Sequence, residues 1–515
     1  MDLSWVTTIL FLIVIGLIIK YVLYMSSEHG VFKRLGIPSL TPIPVAGNFV
    51  REMRIGPLTF QEELYRKFHS EKAYGYYSCK TPILFIRDLD MIRDIAVKHF
   101  GTFVNRREFQ IDEPLDHMLS MLKDDHWKNV RTTVSPTFST GKLRRMFHHI
   151  SSSARTLVEH LREKKDRDQA VELKHVVSCF TMDVIASTGF SVQINSLKEE
   201  KSDFVVKAKE IMDTAGRAIF ATFFLPFMNK KWDKIGISVF PKGPLQFFSS
   251  FVDSALEARK EGANKGLSKT NDFLQLLLES EVENTADNDN MSTEEASELK
   301  MSTDRKPLSR TDIQGQAIIF LLAGYDTVSS VMSFTLFLLA ENPDCCAKLQ
   351  QEIDDKLGKR LPTYDNMQDM PYMDMCLNEA MRLYPPGFQL DRVCNQDIEI
   401  GGVHIPKGMT VSFPVFAIHR DPAIWTDPMT FNPERFSPEN KSDRHPYAHL
   451  PFGQGPRNCI GMRLALLEIK VAMSAILQEM TPVTCSESVY PIRLKFFQMV
   501  SQDGLWVKMV DRIDF

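Results

Sequence analysis

The sequence predicts a mainly α fold with small β parts, preceded by a single N-terminal transmembrane helix. Three observations predict it. Residues 5–23 form one almost wholly apolar run. From about residue 59 onward, most of the chain shows helical spacing of apolar positions and few turn signals. Two segments, 76–88 and 396–415, are instead short, β-branched and bounded by turn residues.

The apolar run comes first. At ~1.5 Å per helical residue it roughly matches the thickness of a hydrocarbon core. Lys20 lies near its end, where it can snorkel. A cleaved signal peptide is the competing reading. Against it, the leader carries Asp2 and no Lys or Arg, and the run is long for an h-region. Lys20, Lys33 and Arg34 follow on one side, so the positive-inside rule places the body in the cytoplasm. Residues 1–24 are therefore read as the anchor. Residues 25–50 are a stiff connection, because Pro38, Pro42 and Pro44 exclude helix there.

Within the body, 76–88 reads as two short strands around a turn. Residues 396–415 read as a hairpin about Gly401 and Gly402 followed by another strand, and the last thirty residues accommodate a further hairpin. Residues 281–305 are polar, acidic and rich in Ser, Thr and Asn, the composition of a flexible surface loop. The longest helix starts at Ser309, where S-R-T-D offers a capping box with Asp312. It runs to Glu341, and Asn342-Pro343 stops it. That is roughly 50 Å of helix. Its middle is apolar all round, as in a helix buried at the centre of a large domain.

Composition narrows the function. The net charge is −4 and no long basic run occurs, so no nucleic-acid partner is expected. Eight cysteines, none in C-x-x-C spacing, are neither a zinc site nor a disulfide framework.

One cysteine stands in a distinctive setting. Residues 452–461 read F-G-Q-G-P-R-N-C-I-G. Gly455 and Gly461 let the backbone approach closely, Phe452 is an apolar cover, and Arg457 carries a fork of donors suited to a carboxylate. Cys459 between them has the spacing of a thiolate held against haem iron. The alternative is a structural cysteine in a Gly-rich turn. Haem has two propionates, and arginine is a natural partner for each. Arg106, Trp127, Arg131, Arg392 and Arg457 are candidates, with Trp127 and Arg131 four apart on one helix face. Each alone reads equally well as a surface or core residue.

Two further motifs carry chemistry. The central helix contains A-G-Y-D-T at 323–327. Ala323 and Gly324 leave a notch, Thr327 can bond the carbonyl one turn back, and Asp326 can pass protons from water. A packing notch with a satisfied threonine is the alternative. Glu379 and Arg382 share a helix face in E-A-M-R, and F-N-P-E-R-F supplies Arg435. A glutamate held between two guanidinium forks would lock that helix to the downstream loop.

Together and in this order, W-x-x-x-R, A-G-x-D-T, E-x-x-R, P-E-R-F and the cysteine loop resemble the cytochrome P-450 monooxygenases. N-R-R at 105–107, H-R-D-P at 419–422 and P-F-G-Q-G-P-R-N-C-I-G-M-R look like the microsomal clan of animal drug- and steroid-oxidising and insect detoxification enzymes. The resemblance implies a triangular, mostly α prism with a small β-rich lobe, here residues 51–515, in the endoplasmic reticulum membrane. It implies haem b with Cys459 as axial ligand and Thr327 with Asp326 as proton-delivery pair. Glu379, Arg382 and Arg435 would be a structural triad, and Arg106, Trp127, Arg131, Arg392 and Arg457 propionate partners. Electrons would come from NADPH through a separate reductase docking near Lys128, Lys142, Arg144 and Arg463, with cytochrome b5 as a further partner. The substrate would be a lipophilic xenobiotic, steroid or fatty acid. Family position puts Phe109, Leu119, Phe220, Phe223, Phe224, Ile319, Phe320, Ala323, Phe388, Leu390, Phe496 and Phe497 around it. Two other functions compete: a haem-thiolate isomerase or dehydratase acting on a lipid peroxide without a reductase, and a non-catalytic haem sensor. The acid-hydroxyl pair argues against the first, and that pair together with the cysteine loop against the second. Two departures stand out. Asp326 replaces the commoner Glu, and the 281–305 loop is longer than usual.

Overall fold

The computed structural model describes residues 3–108, 111, 113–199, 203–208, 210–211, 241–264, 272–282, 307–495 and 499–512. Helix α1 (Leu3–Ser26) is the apolar run. Trp5, Leu12, Leu17 and Leu23 are each more than half exposed on it. Its length, its mean hydropathy of 2.6 and its lack of burial suit a membrane span. At its end Met25 is buried, and Ser26 Oγ accepts the Val45 N–H at 3.0 Å.

The proline-rich segment is more than a connection. Gly75 N–H donates to the Pro38 carbonyl at 2.8 Å, Leu40 N–H to Gly75 O at 3.1 Å, and Asn48 N–H to Tyr77 O at 2.7 Å. It therefore runs along the edge strand of the main sheet and covers that strand's free backbone groups. Helix α2 (Pro57–Lys67) follows.

Strands β1 (Ala73–Ser78) and β2 (Thr81–Ile86) form the first hairpin, with Cys79 at φ 53° in the turn. Helices α3 (Asp124–Val134) and α4 (Thr140–Asp166) come next. After the short strand β3 (Val171–Glu172), α5 (Leu173–Phe190) is buried along almost its whole length. Helices α6 (Lys242–Asn264) and α7 (Phe273–Val282) follow. The latter carries helix two residues into the segment read as a polar loop; residues 283–305 of that loop lie outside the described residues.

The long central helix, Arg310–Glu341, carries a π turn at its middle. It consists of α8 (Arg310–Ala323), a π turn over Gly324–Val328, and α9 (Ser329–Glu341). The expected capping box is present, and Asn342-Pro343 ends α9. The helix runs to Glu341 as read from the sequence, but its ladder widens at A-G-Y-D-T for a local reason. The Asp326 carbonyl accepts from Lys174 Nζ at 2.8 Å and from the Ser329 and Ser330 hydroxyls at 3.1 and 2.8 Å. These side-chain bonds compete with the regular ladder and widen the turn. Although long and apolar, this helix is mostly buried, so it is a core helix. It packs against α5, against α11 (Pro371–Leu383) and against α12 (Met462–Glu479); α10 (Pro343–Leu357) lies between α9 and α11 in the chain. Gly324 lets α5 pack close, since a Cβ there would lie 2.7 Å from Ile185 Cδ1 and that side chain would have to move.

Strands β4 (Leu390–Val393) and β7 (Thr410–Phe413) complete the sheet in the order β1-β2-β7-β4. Between them, β5 (Ile398–Ile400) and β6 (Val403–Ile405) form the hairpin about Gly401-Gly402. Near the end, β8 (Met480–Val483) pairs antiparallel with β9 (Trp506–Asp511), which also pairs with β3. One large apolar core lies among the helices and a second beneath the sheet.

Candidate active site

Cys459 sits just before α12. Its amide donates to Phe452 O at 2.9 Å, which closes the loop. The loop can fold this tightly because Gly455 has φ +75° and a Cβ there would lie 2.1 Å from the Ala96 carbonyl oxygen. Among the eight cysteines, Cys459 alone is exposed. Protein nevertheless surrounds it closely enough that burial pushes its thiol pKa up. The Gly461 and Met462 N–H groups at the start of α12 and the charges of Arg131 and Arg106 pull it back. A sulfur lining a concave face at a helix N-terminus satisfies both observations, and the surrounding donors favour its thiolate.

Asn105 organises what surrounds it. Its side chain exchanges two hydrogen bonds with Asp124 at the start of α3, and its carbonyl accepts the Val393 N–H at 2.8 Å. This brings α3, with Trp127 and Arg131, beside β4, with Arg392. Arg457 crosses the gap, donating to the carbonyls of Val104, Leu119 and Leu122 and lying 4.0 Å from the Trp127 ring centroid. Arg106 donates to Arg457 O, and Arg131 to both oxygens of Asn458. The five candidates thus converge.

The cluster is short of negative charge. Burial, then Arg106, pushes Arg392 down to about 9; burial, then Arg106, Arg392 and Arg131, pushes Arg457 down to about 8. Of the nearby chain acids, Asp391 is engaged by Arg107 and by the Ser412 hydroxyl, and Asp124 by Asn105. The covered Nε atoms of half-buried Arg106 and buried Arg392 have no hydrogen-bond partner. Buried guanidiniums with unused donors call for an anion with carboxylate-like oxygens.

Ala323 at the end of α8 and Thr327 in the π turn are exposed, although Ile318, Leu321, Leu322 and Val328 around them are buried. Thr327 Oγ1 donates to Ala323 O at 2.6 Å. Helix α12, which starts beside Cys459, packs against this turn. Asp326 is turned away toward Lys174, whose Nζ lies 2.9 Å from its Oδ1 and 2.7 and 2.8 Å from the Ser329 and Ser330 hydroxyls. Burial lowers the Lys174 pKa and Asp326 raises it again. Sequence reasoning missed Lys174, a lone cation in the first turn of an apolar helix.

Glu379 and Arg382 are fully buried. Arg382 holds both Glu379 oxygens, at 2.7 and 2.8 Å, and donates to His419 O at 2.7 Å. Arg435 Nε lies 3.3 Å from Glu379 Oε1, which also accepts the Asn432 N–H at 2.9 Å. The acid therefore ties α11 to the downstream loop.

Of the pocket candidates, Leu119, Ile319 and Phe388 are partly buried against the helical core, and Leu390 against the core beneath the sheet. Leu119 is docked on α8 by its N–H to Gln316 Oε1. The Phe320 ring stacks on Phe273 at 4.3 Å and lies over Gly189, so it is engaged in helix packing. Phe109, Phe220, Phe223, Phe224, Phe496 and Phe497 lie outside the described residues.

An accessible thiol facing helix-start N–H groups, beside arginines that lack a carboxylate, fits haem b: sulfur for the iron, guanidiniums for the two propionates. These features define a haem-thiolate protein. Comparison with known proteins agrees. The cytochrome P-450 family model matches residues 37–504. The chain is 41% identical over 487 residues to cytochrome P-450 3A11 of Mus musculus, covering 94% of this chain and 92% of that one. It is 40% identical over 490 residues to cytochrome P-450 3A7 of Homo sapiens, covering 94% and 93%. The chain belongs to the cytochrome P-450 family. It is a monooxygenase of the microsomal membrane type, and its cofactor is haem b with a cysteine thiolate ligand.

Proposed function

We propose that this enzyme inserts one oxygen atom from O2 into a lipophilic xenobiotic, steroid or fatty acid. Electrons come from NADPH through a separate membrane-bound reductase, with cytochrome b5 as an additional donor. The observation that carries this reading is exposed Thr327 in a mostly buried helix, next to an acid held by Lys174. An isomerase or a sensor has no need of such a relay.

When bound, haem supplies an iron that activates O2, and the thiolate's electron donation favours O–O cleavage. The chain's own residues do the rest. Cys459 supplies the thiolate, and the amides of Gly461 and Met462 steady its charge. Arg106, Arg131, Arg392 and Arg457, with Trp127, orient the propionate edge. The notch at Ala323 leaves room for a diatomic molecule, and Thr327 can turn its hydroxyl hydrogen from the Ala323 carbonyl to donate to it. Asp326 takes a proton from solvent and passes it toward Thr327, while Lys174, itself held by the two serine hydroxyls, keeps the carboxylate away from the notch between transfers. Leu119, Ile319, Phe388 and Leu390 exclude water around the substrate. The anchor leaves the catalytic body on the cytoplasmic face of the endoplasmic reticulum, where Lys128, Lys142 and Arg463 can meet an acidic reductase surface. Arg144 is less available, because Asp365 holds it bidentately.

Reconstitution with reductase in lipid, using a lipophilic drug or steroid, tests this. Product should require NADPH. T327A should lower product by ~100-fold while the haem spectrum is unchanged. Equal turnover of a lipid hydroperoxide without NADPH would point to an isomerase instead.

A further inference from the structure

At the N-terminal end of the central helix, away from the thiolate, three potential metal ligands meet. Asp312 is buried in the first turn of α8. His117 closes the short 3-10 turn Leu115–His117, and His126 lies in the first turn of α3. His117 Nδ1 and His126 Nε2 each lie 2.8 Å from the same oxygen, Asp312 Oδ1. All three ligand atoms fall within 4.8 Å of one another. The imidazole rings stand nearly perpendicular, with centroids 5.8 Å apart.

We propose that His117, His126 and Asp312 form a binding site for a divalent transition metal of the zinc class, distinct from the haem site. Two imidazoles and one carboxylate are a ligand set that zinc accepts, with water as the fourth ligand. Tetrahedral bonds of ~2.0–2.1 Å place neighbouring donor atoms about 3.3 Å apart. The observed 2.8 Å contacts therefore need to open by only about half an ångström to admit the ion.

The surroundings resemble a metal site's outer shell. The second oxygen of Asp312 accepts from the Ser309 amide at 3.0 Å and its hydroxyl at 2.6 Å, which fixes the carboxylate. The His117 carbonyl accepts from Gln316 Nε2 at 2.6 Å, which fixes the turn. Gly315 lets this turn lie directly on α8, since a Cβ there would be 2.8 Å from the His117 carbonyl carbon. Glu113 and Asp116 add carboxylates beside His117, and Asp124 and Asp125 begin α3. The side chains of His117 and His126 are 26% and 46% exposed, so an ion can enter from solvent.

The three ligands come from three elements. A bound ion would staple the segment carrying Leu119, and the helix start next to Trp127, to the central helix. Metal occupancy would thereby stiffen one wall of the substrate region and the propionate edge together.

The test is zinc titration of the haem-loaded full chain against a chromogenic chelator, with Co2+ absorption as the geometric readout. H117N and H126Q keep a hydrogen-bond donor toward Asp312 and so preserve the fold; an unchanged haem spectrum checks this. The wild type should bind one zinc ion tightly, show intense four-coordinate Co2+ bands, and unfold at a higher temperature with zinc. Each variant should bind at least about tenfold more weakly and lose both the bands and the thermal shift. No stoichiometric zinc on the wild type would overturn the proposal. So would equal binding by both variants, which would move the ion elsewhere, for example to the adjacent pair His148 and His149.

Discussion

Two buried arginine clusters stand in contrast. At the end of α11, Arg382 and Arg435 surround Glu379, and that carboxylate is fully used by guanidinium and amide donors. Beside the cysteine loop, Arg106, Arg392 and Arg457 crowd together while Asp391 is engaged elsewhere, and Nε atoms are left over. The first cluster is complete within the chain, so it serves the fold. The second is incomplete, as a cluster built to receive an anion would be. Charge balance, more than burial or residue type, separates a structural cluster from a binding one.

The contrast can be broken from either side. The largest effect is expected at the complete cluster. E379Q leaves two guanidiniums buried without their anion and should cost about 3–5 kcal/mol, read as a lowered denaturation midpoint and poor recovery of haem-loaded protein. R392M should behave differently. It removes an unbalanced buried charge, so chain stability should change little, but haem should transfer to apomyoglobin about tenfold faster or more, as expected for one lost charge-assisted hydrogen bond. If R392M destabilises as E379Q does, the two clusters have the same role.

A smaller effect concerns pH. Next to the complete cluster, buried His419 stacks at 5.1 Å on half-buried His449. Burial, then the charge of Arg444, holds His449 at about 3 instead of 6.5. Burial, then His449, holds His419 well below its ordinary value. Between those values the unfolded chain binds protons that the folded chain refuses. Stability should therefore be intact above pH 6.5 and fall as pH drops toward about 3, by ~1 kcal/mol per pH unit for each histidine. Urea midpoints measured across this range check the slope, and H449Q should flatten it.

Much of this was legible in the sequence, wherever one short segment carries both pattern and chemistry. The capping box at Ser309, the Gly401-Gly402 hairpin, the cysteine loop and the E-x-x-R spacing are all of that kind. What escaped depends on partners distant in the chain. Lys174 meets Asp326 only because α5 crosses the central helix, and the resulting bonds widen a helix that reads as regular. Phe320 sits on the helix that carries the pocket candidates, yet its ring is taken up by Phe273. His117, His126 and Asp312 share no spacing pattern, because three separate elements bring them together. The proline-rich segment shows its stiffness in sequence but not the strand edge it covers.

The central claim is that Cys459 is the haem's thiolate ligand, and the carbon monoxide difference spectrum of the reduced protein tests it most directly. Wild type should give a strongly red-shifted Soret band, and C459A should lose it. A histidine-type band from the wild type, or a red-shifted band retained by C459A, would contradict the account.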